Sequence, residues 1–374
     1  MEKKILFISR GLGLGHATRD FLIIERLKQR YDIIVLTHGK AFDFFSSKGL
    51  STINIQQGYA EGDTAHKQYL IGKYIYDENP KLVFADEEIS AVIFSAILKI
   101  PCIYMTNFFY TDEDHVKTLS LAEKIVFPDL QEYFSVPAEI KQKMLFVGPI
   151  VDKVSRTKVE QDKEWIVSKF DINFENLLTI LVTAGGREER NISFFKESIM
   201  AICSYAKKMQ CRINILINLC TVGDSLKRDI VETVISVQSK LVQKYFVDEN
   251  WNVDFKTFYA LSDLVFTRGG HTTLWELACM QKPAIAFPFE LNINKFNGGY
   301  AIKMKHFGSC DVVLPEQMTA EYITKRLEII LDKENSIRMQ NCLNEKTKDF
   351  DKKGITRVVA IVDEMINYKI QERM

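Results

Sequence analysis

DLVFTRGGHTTLWELACMQKPAIAFPF, residues 263–289, decides how the rest of the chain is read. Four apolar-leaning residues, Leu264 to Thr267, run into Gly269 and Gly270. A helical stretch follows over 271–280, and Lys282-Pro283 opens a second apolar run over 284–287. Strands that are apolar on every position, separated by a helix, belong to a parallel sheet covered on both faces. Small and hydroxylated residues at the helix start aim backbone N–H groups and the helix dipole at any anion placed there. Thr272 and Thr273 offer hydroxyl donors to a phosphate. Glu276, one turn further on the same face, has a carboxylate able to accept two hydrogen bonds from a ribose diol. The plainer alternative is a glycine loop followed by a Thr/Glu capping box.

Outward from this stretch, the alternation of strand and helix occurs twice. In the first half, 5–8, 33–36, 53–55, 82–85, 100–105, 125–127 and 145–147 read as buried strands, with helical periodicity over 16–29 and 87–98. In the second half the strands are 177–183, 213–218, 245–247, 264–267 and 284–287. Helices are expected at 191–209, 271–280 and 319–332. The fold class is therefore α/β: two doubly wound Rossmann-like domains facing a central cleft, with C-terminal helices. The break falls at Gly148-Pro149, because Gly-Pro ends a strand and starts a connection. Residues 1–150 form the first domain and 151–350 the second. Residues 351–374 are a terminal helix that packs back on the first domain.

Two more glycine loops follow strands. Gly11-Leu-Gly13-Leu-Gly15-His16-Ala-Thr-Arg19 opens the first helix, and its glycines leave N–H groups pointing into the crevice. A dinucleotide fingerprint would need glycine where His16 stands and an acid at the end of the next strand, which here reads Leu36-Thr37-His38. A purely structural turn leaves His16 unexplained. With a proton affinity poised near neutral pH, His16 at the mouth of a sheet is a candidate general base, against a plain capping or core role. Thr183-Ala-Gly185-Gly186-Arg187 opens the second domain, and Arg187 is either a bidentate phosphate partner or a solvated loop cation.

Composition removes several function classes. Of the 374 residues 47% are hydrophobic and 26% charged, a globular balance. Lys plus Arg and Asp plus Glu number 49 each, and 1–150 alone holds 17 basic and 19 acidic groups. A nucleic-acid binder shows a basic excess, so nucleic acid is not the expected partner. Seven scattered cysteines without a CxxC pair imply neither a disulfide framework nor a zinc site, which suits a reducing cytoplasm. The run Ile5–Ile8 is too short for a signal peptide, and no apolar stretch is long enough to span a bilayer.

With these motifs in order, the chain resembles the GT-B-fold glycosyltransferases of the MurG-like type, family 28/1. The resemblance rests on the first loop with His16, the strand 79–86 ending in Asp86, the Gly148-Pro149 junction and, most specifically, 267–289. It implies a metal-independent inverting transfer of a hexose-type sugar from a nucleoside diphosphate sugar, a UDP-sugar first, to a hydroxyl acceptor. No cofactor is implied. The donor would meet Gly185, Gly186 and Arg187 at its diphosphate, and Arg268, Gly269, Gly270, His271, Thr272 and Thr273 at the helix start. Glu276 would hold the ribose, the backbone near Phe246 and Val247 the base, and Gly15 would line the donor from the first loop. Where the family shows an acid–Gln or Gln–Gln pair, this chain has Asn292-Ile-Asn294-Lys295-Phe-Asn297, so Asn294 and Asn297 are assigned to the sugar hydroxyls. His16 would be the base, with Asp86 and Glu88 as runners-up. No acidic pair is placed to hold a metal.

The acceptor should lie against the first domain. Its loops 56–78 and 106–122 carry Tyr59, His66, Tyr69, Tyr74, Tyr76, Phe108, Phe109 and Tyr110, with Lys67, Lys73 and Lys81 nearby. Aromatics suit stacking on a sugar, and an apolar surface with a basic rim suits a lipid-linked acceptor at the inner face of a membrane. Two alternatives share the motifs: a nucleotide-sugar hydrolase of the pseudaminic-acid-pathway type, which carries a similar Gly15-His16-Ala-Thr-Arg19 run, and a binding protein without turnover.

Overall fold

The computed structural model describes residues 3–371 apart from 12–13, 57–63, 108–112, 134–135, 185–189, 221, 249–252 and 290–295. It divides into two compact units, 1–151 with 352–374, and 152–351. The first unit contains β1 (Lys4–Ser9), α1 (Leu14–Leu27), β2 (Asp32–Thr37), α2 (Gly39–Ser47), β3 (Thr52–Asn54), α3 (Thr64–Glu78) and β4 (Leu82–Asp86). It continues with α4 (Ile89–Leu98), β5 (Cys102–Met105), α5 (Glu113–Leu119), β6 (Lys124–Phe127) and β7 (Met144–Phe146). The second contains α6 (Arg156–Phe170), β8 (Leu178–Thr183), α7 (Arg190–Met209), β9 (Ile213–Asn218), α8 (Asp224–Ser236), β10 (Val242–Val247) and α9 (Lys256–Leu261). After these come β11 (Leu264–Thr267), α10 (His271–Cys279), β12 (Ala284–Ala286), α11 (Phe296–Phe307), β13 (Asp311–Val312), α12 (Ala320–Ile330) and α13 (Lys333–Thr347). The last helix, α14 (Lys353–Gln371), belongs to the first unit.

Every described strand pairing is parallel, in two sheets of order β3-β2-β1-β4-β5-β6-β7 and β10-β9-β8-β11-β12-β13. Each order reverses once, between β1 and β4 and between β8 and β11. Open α/β sheets bind ligands outside the carboxyl ends of the strands at such a switch point. In register there stand Ser9 beside Asp86 in one sheet and Thr183 beside Thr267 in the other.

The strands are buried on both faces because alternate residues feed two cores. Ile5 and Phe7 pack with Ala17, Ile24 and Phe45 on one side. Leu6 and Ile8 pack with Ile71, Val92 and Leu119 on the other. The first of these cores also receives Ile355, Val358, Val362, Met365 and Ile366, the apolar stripe of α14. Gly354 lets that helix start hard against the chain, since a Cβ there would stand 2.2 Å from the Pro149 carbonyl oxygen. Arg357 donates to the Val147 carbonyl at 3.0 Å, and Tyr31 and Arg30 both donate to Asp363.

Sequence periodicity finds the long strands, but α2, α3, α5, α8, α9, α11 and β13 are added by the structure. β13 is two residues long, too short to leave a pattern, and its Asp311 is held by Arg326 and by Lys305 at 3.1 Å. Among the described residues, no helix is long and apolar enough to cross a membrane.

Candidate active site

The first cluster of polar side chains stands at the β1/β4 switch point. Ser9 ends β1, its carbonyl held by the Thr37 hydroxyl at 2.8 Å, and its own hydroxyl donates to Asp20 at 2.5 Å. His16, Arg19 and Asp20 share one face of α1 by their spacing of three and four residues. All three converge on Asp86. His16 Nδ1 stands 2.9 Å from Asp86 Oδ2, and Arg19 Nη2 donates to Asp86 Oδ1 at 2.5 Å. Arg19, Asp20 and Asp86 are buried, while His16 keeps 17% of its side chain exposed.

Burial by itself would raise the Asp86 carboxyl, but the charges of Arg19 and His16, with their hydrogen bonds, hold it well below the usual carboxylate range. Its neighbour goes the other way. Burial and the Asp86 charge push Asp20 well above its ordinary value. Of the two carboxyls, Asp86 is therefore the one that carries the negative charge. Nδ1 of His16 thus faces Asp86, with Arg19 Nη2 3.2 Å away, and Nε2 faces Glu87 at 3.5 Å.

Asp86 opens a run of three buried acids, each with its own cation. Arg10 donates to Glu87 at 2.8 Å, and Lys67 Nζ reaches both oxygens of Glu88 at 2.9 and 3.0 Å. Glu88 is thus tied to α3, whereas Glu87 lies 3.5 Å from His16 Nε2. His16, Asp86 and Glu87 offer ligand atoms within 4.8 Å of one another, spacing that a metal ion accepts. Guanidinium groups already sit on both carboxylates, so the charge a cation would meet is largely balanced. The sequence shows no acidic pair placed to hold a metal; the structure assembles a group with metal-like spacing from two elements 70 residues apart.

Another correction concerns the first glycine loop. Gly11 N–H does not face the crevice; it donates to His38 Nε2 at 3.3 Å. That bond needs an unprotonated ring nitrogen, and burial, with Lys67, lowers the affinity of His38 for a proton. A Cβ on Gly11 would lie 2.2 Å from the His38 carbonyl oxygen, so the glycine permits this close approach. Gly15 is exposed in the first turn of α1, its carbonyl accepting from Thr18 at 3.2 Å.

In the second unit, β11 delivers its glycines at the β8/β11 switch point. Gly269 has φ +77°, the left-handed region, and a Cβ there would also meet Ala301 and Ala286 at about 3.4–3.5 Å. Gly270 is the N-cap of α10 and supplies no side-chain cap, which sets aside the Thr/Glu capping box. Thr273 is hydrogen-bonded to the Tyr259 hydroxyl. Glu276 is an inward-lying carboxyl: burial raises it from 4.5 to about 7, Lys256 opposes the shift and Asp254 adds to it.

The other residues assigned to the donor have these surroundings. Arg268 is buried, its guanidinium 3.3 Å from the Phe289 ring centroid and 5.2 Å from that of Phe194, a packing position. His271 lies against Tyr300 with ring centroids 4.6 Å apart. Phe246 and Val247 end β10, but the Val247 carbonyl already accepts from Leu219 N–H at 2.7 Å and from Cys220 Sγ at 3.5 Å. Gly185, Gly186, Arg187 and Asn294 lie outside the described residues, as does the side chain of Asn297, whose backbone is in α11. So do Tyr59, Phe108, Phe109 and Tyr110; of the other aromatics, Tyr69 and Tyr76 on α3 are exposed and Tyr74 packs on the core.

Sequence reasoning passed over Asp20, Glu87, Tyr259 and Lys256, and it named Arg19, His38 and Lys67 without their partners Asp86, Gly11 and Glu88. The spacing from His16 to Arg19 and Asp20 was a readable signal. The pairing of α1 with β4 was not, because it depends on the strand order.

Residues 250–355 match the glycosyltransferase family 28 C-terminal domain. An uncharacterised glycosyltransferase of Methanopyrus kandleri is 24% identical over 277 residues, 70% of this chain and 72% of its own length. UDP-N-acetylglucosamine–N-acetylmuramyl-(pentapeptide) pyrophosphoryl-undecaprenol N-acetylglucosamine transferase of Thermodesulfovibrio yellowstonii is 25% identical over 216 residues, 58% of this chain and 53% of that enzyme. Among solved structures, MurG of Acinetobacter baumannii superposes with a TM-score of 0.66 over 97% of this chain and all of that one. At 12% identity that likeness shows the fold. Two parallel doubly wound sheets, the family 28 C-terminal domain over residues 250–355 and these relatives make the chain similar to the MurG-like glycosyltransferases of GT-B fold.

Proposed function

We propose that the protein moves a hexose-type sugar from a UDP-sugar to a hydroxyl acceptor, with inversion at the anomeric carbon and without a metal. The observation that carries this reading is the His16–Asp86 pair at the carboxyl end of β4, with Nδ1 held at 2.9 Å and Nε2 left for a substrate hydroxyl. The acceptor oxygen bonds to the anomeric carbon as its proton passes to Nε2, and the UDP phosphate oxygen leaves on the opposite face. A positioned base of this kind contributes about 10²–10⁴-fold.

The leaving diphosphate needs fixed positive potential. The start of α10 supplies it through backbone N–H groups and the helix dipole, with Thr272 and Thr273 beside them. Gly185, Gly186 and Arg187 are assigned to the same anion, Glu276 to the ribose, and Asn294 and Asn297 to the sugar. UDP is favoured among the nucleotides because the Thermodesulfovibrio relative is named for a UDP-N-acetylglucosamine donor. That relative is also named for an undecaprenol-linked acceptor, and exposed Ile93 and Ile97 on α4, with Tyr69 and Tyr76 on α3, give this chain an apolar surface suited to a membrane face. We place it accordingly in the cytoplasm, peripheral to the membrane.

The test compares wild type with His16→Ala for UDP-sugar turnover and UDP binding. The variant should lose turnover by about 10²–10⁴-fold and still be stabilised by UDP. Equal turnover in both proteins would remove His16 from the chemistry. UDP released as fast without an acceptor as with one would identify hydrolysis instead.

A further inference from the structure

Arg19 is the cation of the cluster to which the reaction as described gives no part. It follows His16 by one turn of α1, on the same face. Arg10 and Lys67 hold Glu87 and Glu88 from the rim, with 29% and 20% of their side chains exposed, whereas Arg19 keeps 2%. Stability alone does not call for a charge so far from water, since a buried ion pair is often replaced by apolar side chains without loss. Among the described residues, Nε of Arg19 has no hydrogen-bond partner, so the packing is not arranged to satisfy this side chain throughout.

Its contacts converge at Nη2. This nitrogen donates to Asp86 Oδ1 at 2.5 Å and stands 3.2 Å from His16 Nδ1, which lies 2.9 Å from Asp86 Oδ2. The three groups close a triangle in which each oxygen of Asp86 has its own partner. Burial disfavours the guanidinium charge, but the charge of Asp86 and the hydrogen bond to it hold the proton more tightly than usual, so Nη2 remains a donor. His16 Nδ1 therefore has an acceptor and a donor at hydrogen-bond distance at once. Protonated, it donates to Oδ2; unprotonated, it accepts from Nη2, and the ring keeps its orientation in both states. Among the described residues, Arg19 is the one cation within such reach of both His16 and Asp86.

We propose that Arg19 is a positioning residue for the transfer: it fixes the Asp86 carboxylate and, through Asp86 and its own contact with Nδ1, the orientation of the His16 ring that receives the acceptor's proton. The inference rests on the transferase reading and deepens it. Arg19 touches no substrate, so its effect on the rate passes through His16 and disappears when the imidazole is removed. A residue that only holds the unit together would affect the rate alike with and without the imidazole.

The experiment is a double-substitution cycle in the full chain, with Arg19→Lys and His16→Ala made alone and together. UDP release from UDP-N-acetylglucosamine and UDP-glucose is followed with methyl hexopyranosides as acceptors and with water alone. Lysine keeps the charge but is a shorter point donor without the fork, so it cannot hold Asp86 and border Nδ1 in the same way. Arg19→Lys should lower kcat about 10- to 100-fold, the scale of a reacting group displaced by about 1 Å, while donor KM and stabilisation by UDP stay within about twofold of wild type. On the His16→Ala background the same substitution should change kcat by less than about twofold. Arg19→Gln, a neutral donor, takes the place of the lysine variant in the cycle if that variant melts below the assay temperature. The proposal falls if the substituted chain keeps the wild-type kcat, if the loss is the same factor with and without His16, or if neither variant folds, which would make Arg19 a structural residue. Wild-type turnover in His16→Ala, or no UDP release by a wild type that binds UDP, overturns the transferase reading and the positioning role with it. A loss in His16→Ala joined to an additive cycle removes Arg19 alone, which separates the two failures.

Discussion

Glu276→Gln is the substitution that most directly tests the electrostatics of the donor half. The carboxyl lies inside the second unit, with an affinity for its proton raised from 4.5 to about 7 by burial. Between those values the folded chain keeps a proton that the unfolded chain has released. Stability therefore falls as pH rises through this window, and the loss is complete above about pH 7. The interval corresponds to about 2–3 kcal/mol once the intermediate exposure of Glu276 is allowed for. An amide has the same shape and no charge to desolvate. The variant should equal wild type near pH 4.5 and exceed it at pH 8, by roughly 5–10 °C in the melting of a unit of this size.

UDP sharpens the prediction, because the proposed function has the ribose diol donate to the ionised carboxylate of Glu276. UDP affinity of wild type should fall about tenfold per pH unit below 7, where the carboxyl must first lose a proton. The variant should bind UDP more weakly and with a flat pH dependence. Melting curves at half-unit intervals from pH 4.5 to 8, with and without UDP, measure both effects. A stability difference between the two proteins that does not change with pH would refute the reasoning, since it would mean Glu276 ionises as freely as in the unfolded chain.

Two other predictions follow from the first unit. Transfer should survive EDTA, because Arg10 and Arg19 already balance the carboxylates of the one cluster with metal-like spacing among the described residues; complete loss of turnover, restored by a divalent ion, would show the opposite. Arg19→Met should destabilise that unit by about 3–5 kcal/mol, read from denaturant midpoints, because it leaves Asp86 buried without its main counter-charge. A change below about 0.5 kcal/mol would mean that water reaches Asp86.

Much of the candidate site was legible because it is local. His16 at the opening of α1, the Gly269-Gly270 turn, and Thr272 with Glu276 one turn apart all sit within a few residues, where strand, turn and helix geometry fixes their relation. The same locality reveals the long strands, whose apolar character follows from burial on two faces. It also leaves out partners distant in sequence: the Gly11 N–H, expected to point into the crevice, donates to His38 from the end of the next strand, and Arg268 stacks on Phe289 and Phe194.

By itself, then, the amino-acid order determined two doubly wound units, the three glycine loops and the side chain best suited to be a base. Tertiary structure decided which charges those loops meet. Placing β4 beside β1 brings Asp86 to His16 across 70 residues, keeps the negative charge on Asp86 rather than Asp20, and brings Glu87 within 3.5 Å of Nε2. Spacing along the chain carries no information about such neighbours, because strand order and burial set the distance between charges and the dielectric between them.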